Sequence, residues 1–249
     1  MALPNDDPSG GWNTSASAWI RFVDEGDVNR THLLDPIMLE LCGDMQGQRV
    51  LDIGCGEGRF CRMLKAHGAE TTGLDCTLPL IEEAQKRDAD GKYLIADAVN
   101  LPFPAASFDV CISYIALVDI QDFRRAIAEM ARVLKHGGRV IFSNLQPYAT
   151  ANMNGWTKDA DGKKLYFPID NYTTERTLIG RWRGIEVAQY HRPLGMIMRA
   201  FIDAGLALRQ FREPVASEDA KSEHPILKDD ERVPLFVVME WKKSANLKA

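Results

Sequence analysis

Glycines stand at every second position of the loop in VLDIGCGEGRF, residues 50–60, and two carboxylates, Asp52 and Glu57, bracket it. Gly54, Gly56 and Gly58 allow a sharp backbone turn and the approach of a ligand to bare main chain. Two further acids, Asp75 and Asp97, close the apolar runs ETTGLD and KYLIAD. A dinucleotide loop reads GxGxxG and seats pyrophosphate on the following helix. Here the spacing is GxGxG, with Arg59 where the third glycine would stand. Carboxylates on this rim would repel a pyrophosphate, whereas a ligand carrying an ammonium and a sulfonium would be drawn in. Asp75 suits a ribose diol in either case. The charge pattern therefore favours a cationic nucleoside and disfavours a nicotinamide dehydrogenase.

Such a rim needs strands to present it, and the chain supplies them. RVLDI, ETTGLD, KYLIAD, FDVCISYIALV and RVIFSNL read as five strands between residues 49 and 145. Helical spacing falls between them: Phe60, Met63, Leu64 and His67; LPLIEEAQKRDA; then Phe123, Ile127, Met130 and Leu134. Repeated strand–helix–strand units imply right-handed crossovers and a parallel sheet covered on both faces. In such doubly wound α/β sheets ligands bind beyond the carboxyl ends of the strands. That places Gly54–Gly58, Asp75, Asp97 and Ser113–Tyr114 along one edge.

VLDIGCGEGRF, TTGLD, IADAVNLPF, FDVCISYIALV and ARVLKHGGRVIFS resemble, in order and spacing, the class I S-adenosylmethionine-dependent methyltransferases. The likeness is close over roughly residues 48–145 and looser through HRPLGMIMRAFIDAGLALRQFREP. It implies a Rossmann-like, seven-stranded sheet, six parallel strands plus one antiparallel edge strand, the last two strands forming a hairpin. It also implies the cofactor S-adenosylmethionine, with S-adenosylhomocysteine as product. Under it, Gly54, Cys55 and Gly56 lie against the methionine part, and Asp52 contacts its amino group directly or through water. Asp75 holds the ribose hydroxyls with Cys76 beside the adenine. Asp97 and the Ala98 amide read the adenine edge, and the Ser113 carbonyl meets the methionine ammonium. The competing structural roles are caps of the following turns for Asp75 and Asp97, and packing for Ser113.

Residues 1–47 read as a helical N-terminal lid and 48–249 as the methyltransferase domain, with an insertion at about 146–192 after strand five. The lid brings Trp12, Trp19 and Phe22, and the insertion Tyr148, Trp156, Tyr172, Trp182 and Tyr190, among others. An aromatic roof suits a small apolar or aromatic acceptor; the same rings can instead glue the insertion to the core. Tyr148, Trp182 and Tyr190 are the candidate substrate contacts. Of five histidines, His191 at the end of the insertion is the candidate general base, with His32 of the lid behind it; packing or a structural hydrogen bond is the competing role for His191. Asp119 and Asp122 read as N-terminal caps of the next helix, and no metal-ligand pattern is legible. Arg30 is a candidate partner for a cofactor carboxylate or an acidic acceptor, with surface solvation as the competing role.

The net charge of −5 disfavours a nucleic-acid partner, leaving an RNA or protein methyltransferase, or a non-catalytic cofactor-binding module, as alternatives. Five cysteines without a pairing framework suggest reduced thiols and a cytoplasmic setting. The polar leader MALPNDDPSGGWN does not read as a signal peptide, and no run approaches the roughly 18 apolar residues of a membrane span. A homodimer is a further use for lid aromatics.

Overall fold

The computed structural model describes residues 7, 9–152 and 154–244. Most of the polar leader and the last five residues of the basic WKKSANLKA end lie outside them. Helix α1 (Trp12–Glu25) is followed by a π-helical turn at Arg30–Leu34 that runs into α2 (Asp35–Cys42). Then come β1 (Arg49–Ile53), α3 (Arg59–Ala66), β2 (Glu70–Asp75), α4 (Leu78–Arg87), β3 (Lys92–Ile95), β4 (Phe108–Tyr114), α5 (Phe123–Val133) and β5 (Leu134–Leu145). β1 and β4 are buried almost throughout, as strands covered on both faces must be.

Helix α5 shows how local chemistry sets a boundary. Asp122 caps it, its side chain accepting from the Arg125 amide at 3.0 Å. Phe123, Ile127 and Met130 face the core as their spacing predicts. Leu134 departs from that stripe: the chain turns extended there, and Leu134 pairs with Phe108 as the first residue of β5. Strand five therefore begins five residues before RVIFSNL, with a register shift between Phe108 and Val110.

After β5 the chain forms a short helix α6 (Pro147–Ala151), a small pair β6 (Thr157–Lys158) and β7 (Lys164–Tyr166), and a hairpin β8 (Arg176–Trp182) with β9 (Ile185–His191). It returns through α7 (Leu194–Asp203) and β10 (Leu206–Arg212), two short helices α8 (Glu218–Glu223) and α9 (Asp229–Arg232), and β11 (Phe236–Lys243). The strand order is β10-β11-β5-β4-β1-β2-β3. Six strands run one way and β11 runs against them, as the inner member of the edge hairpin it makes with β10. One core lies under α5 and α7, where Phe201 stacks on Trp241 at 4.7 Å; the other lies under α2 and α3. β1 has β2 on one side and β4 on the other. The order reverses there, and the crevice above this point is where such sheets take ligands.

Candidate active site

A cavity of about 750 Å³ opens above that reversal, within the range of roughly 300–1,000 Å³ common for small-molecule sites. Its floor is the rim anticipated above. The Gly54 and Cys55 amides both donate to the Leu74 carbonyl, at 2.9 and 3.0 Å, so the loop folds back over β2. Gly54 has φ +73°, and a Cβ there would stand 2.4 Å from the Cβ of Ala116. Gly56, at φ +56°, lies under the indole of Trp19. Both positions need glycine for conformation, and Gly54 for room as well.

Asp75 fixes the loop from the side. Its Oδ2 accepts from the Gly56 amide at 3.0 Å and its Oδ1 from the Thr77 amide at 2.9 Å. Each oxygen keeps a second lone pair for a ligand. Cys76, Asp97 and Ala98 line the same wall. Asp97 Oδ1 also accepts from the Val99 amide at 3.0 Å, so it makes the turn as well as facing the cavity. Cys76 differs from the other four cysteines, which are buried; its thiol is exposed.

Two expected contacts lie elsewhere. Asp52 does not line the cavity but is buried behind the loop, where the Cys61 thiol donates to its Oδ2 at 3.4 Å. Ser113 is fully buried within β4, and Tyr114, Ile115 and Ala116 reach the cavity in its place. Ile115 holds φ +54°, a left-handed conformation uncommon for a β-branched residue. Its amide is tied to the Ser143 carbonyl at 2.9 Å. Such strain is held where surrounding contacts over-determine it, often at functional sites.

Arg59, the residue that breaks the dinucleotide spacing, makes a two-pronged pair with Asp35 at 2.8 Å on each prong. Tyr114 donates to the same carboxylate at 2.8 Å. The start of α2 is thereby clamped to the glycine loop, which places the preceding Arg30 in the cavity wall. The Arg30 guanidinium lies 4.6 Å from the Trp19 ring and 4.9 Å from the Tyr114 ring.

The roof is α1 and the β8–β9 hairpin, fastened to each other. Ser15 Oγ donates to the Glu186 carbonyl at 3.0 Å, and the Ala188 amide donates to the Gly10 carbonyl at 2.8 Å. Trp19, Ile185 and Val187 form a small apolar cluster with Leu80 of α4, and Trp12, Phe22 and Trp182 pack around it. Trp19 Nε1 donates to Glu57 Oε2 at 2.8 Å, a direct tie from roof to floor. Of the three candidate substrate contacts, Trp182 and Tyr190 line the cavity and Tyr148 does not; its hydroxyl donates to the Pro234 carbonyl. Trp156 packs on Phe167 at 5.5 Å, with Arg232 over it, so these two rings of the insertion are glue.

His191 is corrected by the structure. It is fully buried and off the cavity wall, with Nδ1 paired to Thr150 Oγ1 and Nε2 to the Tyr172 carbonyl, each at 2.8 Å. Burial lowers its pKa, and neither nitrogen is left for an acceptor's proton. Asp119 is corrected too: it caps nothing, lining the cavity instead with Gln189 Nε2 at 3.2 Å from its Oδ1. The signals for Asp119, Gln189 and Ile115 were absent from linear spacing, since three separate elements bring them together.

Charge and unsatisfied polarity describe what the cavity takes. Glu57, Asp75, Asp97 and Asp119 face it. Around its glycine end, Asp52 Oδ1 and Glu57 Oε1 are buried without a hydrogen-bond partner among the described residues, and Arg30 Nε is held 3.4 Å from Asp27 Oδ2 as an ion pair. Buried polar atoms are nearly always satisfied, so the unpaired Glu57 acceptor and the Arg30 guanidinium lining one cavity fit an α-amino-acid zwitterion. Among the described residues no group of three or more His, Cys, Asp or Glu side chains is placed to hold a metal, and no helix is long and apolar enough to cross a membrane.

Comparisons with known proteins agree with this geometry. Residues 51–142 match the family model of the methyltransferase domain. A malonyl-[acyl-carrier protein] O-methyltransferase of Pseudescherichia vulneris is 30% identical over 179 residues, covering 71% of this chain and 68% of its own. Another of that description, from Serratia marcescens, is 33% identical over 55% of this chain and 54% of its own. The chain spans about half the length of the first curated relatives it matches. The crystal structure of an S-adenosylmethionine-dependent methyltransferase from Mesorhizobium loti superposes with a TM-score of 0.78 at 29% identity, covering 88% of this chain and 99% of that one.

Proposed function

This chain belongs to the class I S-adenosylmethionine-dependent methyltransferases, and we propose that it methylates a small apolar or aromatic molecule bound between the glycine rim and the aromatic roof. One observation carries the reading: a single cavity has a polar, acidic floor and a roof lined by Trp12, Trp19, Phe22, Trp182 and Tyr190. S-adenosylmethionine supplies an activated methyl on a sulfonium, so the protein's task is to bind, orient and keep water out. Asp75 would hold the ribose diol, with Asp97 and the Ala98 amide at the adenine. Arg30 would take the methionine carboxylate, and Glu57, with Asp52 behind it, would offset the ammonium. Gly54 and Gly56 let the methionine backbone lie on main chain. The roof then covers the methyl from the other side.

Calorimetric titration with S-adenosylmethionine, S-adenosylhomocysteine and NAD tests the floor: micromolar binding of the first two and none of NAD is expected. Incubation with labelled S-adenosylmethionine and a set of aromatic metabolites tests the roof, the label passing to an aromatic product. A second reading is favoured by the relatives that act on malonyl-[acyl-carrier protein]: an acyl chain delivered by a carrier would thread the same cavity. Labelling of a malonylated carrier, with no aromatic accepted, would select it.

A further inference from the structure

Asp119 stands where floor meets roof. It ends the 3-10 turn Leu117–Asp119 after β4, and Gln189 reaches it from β9 of the roof hairpin. The turn is held from behind by Arg192, whose buried guanidinium donates to the carbonyls of Leu117, Ile120 and Gln121. No Lys, Arg or His among the described residues forms an ion pair with the Asp119 carboxylate. It is a fixed acceptor in the cavity wall, with Trp12 and Tyr190 of the roof among its neighbours.

We propose that Asp119 is the catalytic residue that receives the acceptor's proton, and that the acceptor is therefore a neutral hydroxyl compound of the phenol class rather than a carboxylate. This rests on the methyl-transfer reading above. As the acceptor oxygen bonds to the methyl carbon, the carbon–sulfur bond breaks and its electron pair stays on sulfur. The hydroxyl proton passes to Asp119 and from there to solvent. Burial pushes the Asp119 carboxyl up to about 7, against donation from Gln189 and Trp12; the Asp75 charge adds to the rise and Arg192 opposes it. A base poised near neutrality both takes and releases a proton readily. A carboxylate acceptor would meet Asp119 and Asp75 as like charges. Gln189 and Arg192 act through Asp119 as positioning residues.

The test reads binding as well as turnover. Phenol and benzoate are titrated by ligand-observed NMR into the S-adenosylhomocysteine complex at about pH 8, for the native protein and for Asp119→Asn. The native complex is expected to prefer phenol by about tenfold or more, and Asp119→Asn to erase most of that preference while holding S-adenosylhomocysteine unchanged. With S-adenosylmethionine present, phenol methylation by the native protein should rise with pH through about 7 and vanish in Asp119→Asn. Equal binding of benzoate, no binding of phenol, or an unaltered Asp119→Asn each overturns the proposal. Failure of the native protein to bind S-adenosylhomocysteine overturns the methyl-transfer reading itself, so the two failures are told apart. If Asp119→Asn does not fold, Gln189→Met serves: losing the amide donor should move the phenol pH midpoint upward, and an unmoved midpoint counts against Asp119.

Discussion

The glycine rim and the roof above it bound one cavity, yet they are held by different kinds of contact. In the rim, backbone meets backbone or a single carboxylate: Gly54 and Cys55 on the Leu74 carbonyl, Gly56 and Thr77 on Asp75. In the roof, α1 and the β8–β9 hairpin share a small apolar cluster and reach the rim through Trp19 on Glu57. Backbone pairing inside a sheet opens only with much of the fold, whereas a small satellite cluster opens locally. A rigid floor suits a cofactor used in every turnover, and a separable roof suits an acceptor that must enter and leave.

Breaking the floor should cost most. Gly54→Ala forces a Cβ to within 2.4 Å of Ala116 at a positive φ. Overpacking and backbone strain together predict a loss of about 2–4 kcal/mol, read as a lower urea midpoint, with S-adenosylhomocysteine binding lost in the folded fraction. A variant as stable as the native chain would mean the loop is slack. Asp75→Ala comes next. It strips two amides of their charged acceptor and the ribose of its partner, and cofactor affinity should fall by about 2–3 kcal/mol in calorimetry. Unchanged affinity would remove Asp75 from the site.

Breaking the roof should cost less and stay local. Trp19→Phe removes the donor to Glu57, leaving both oxygens of that buried carboxylate unsatisfied, at about 1–2 kcal/mol. Hydrogen exchange in α1 should quicken while β1 and β4 keep their native protection. Equal quickening in both regions would show that roof and floor open as one unit.

The same contrast explains what could be read from the sequence. The floor is built from residues close in the chain, and the glycine spacing, the acids at strand ends and the alternation of strands and helices all carry its signal. Gly54, Gly56, Asp75, Cys76, Asp97 and Ala98 all line the cavity. The roof depends on where an insertion lands, and no period records that. Tyr148 and His191 have the residue types for a site, but the chain turns them toward Pro234, Thr150 and Tyr172. Asp119 failed for a different reason. Asp119 stands four residues before the helix that begins at Phe123 and resembles a cap in the sequence, but Asp122 fills that role. Ser113 lies just short of the cavity, which the chain meets from Tyr114 onward as it turns through the strained Ile115.

The smallest expected effect probes the floor through protons. Burial pushes the Asp52 carboxyl up to about 7; the Cys61 thiol and Arg30 oppose the rise, and Asp75 and Glu57 add to it. Because this value lies above that of the unfolded chain, the folded protein holds the proton more tightly. Asp52 therefore contributes stability at pH below the ordinary carboxylate range, and that contribution is lost as pH rises through about 7. A ligand bringing an ammonium reverses the preference by favouring the ionised carboxylate. Affinity for S-adenosylmethionine should accordingly rise between pH 6 and 8, by up to about tenfold. Asp119 loses stability over the same window, so the comparison is made in Asp119→Asn, where that contribution is removed. In that background Asp52→Asn should flatten the affinity profile and raise the urea midpoint at pH 8. A profile that keeps its slope in the double variant would assign the proton to Asp75, still on the floor, and would leave Asp52 as a buried support for the glycine loop.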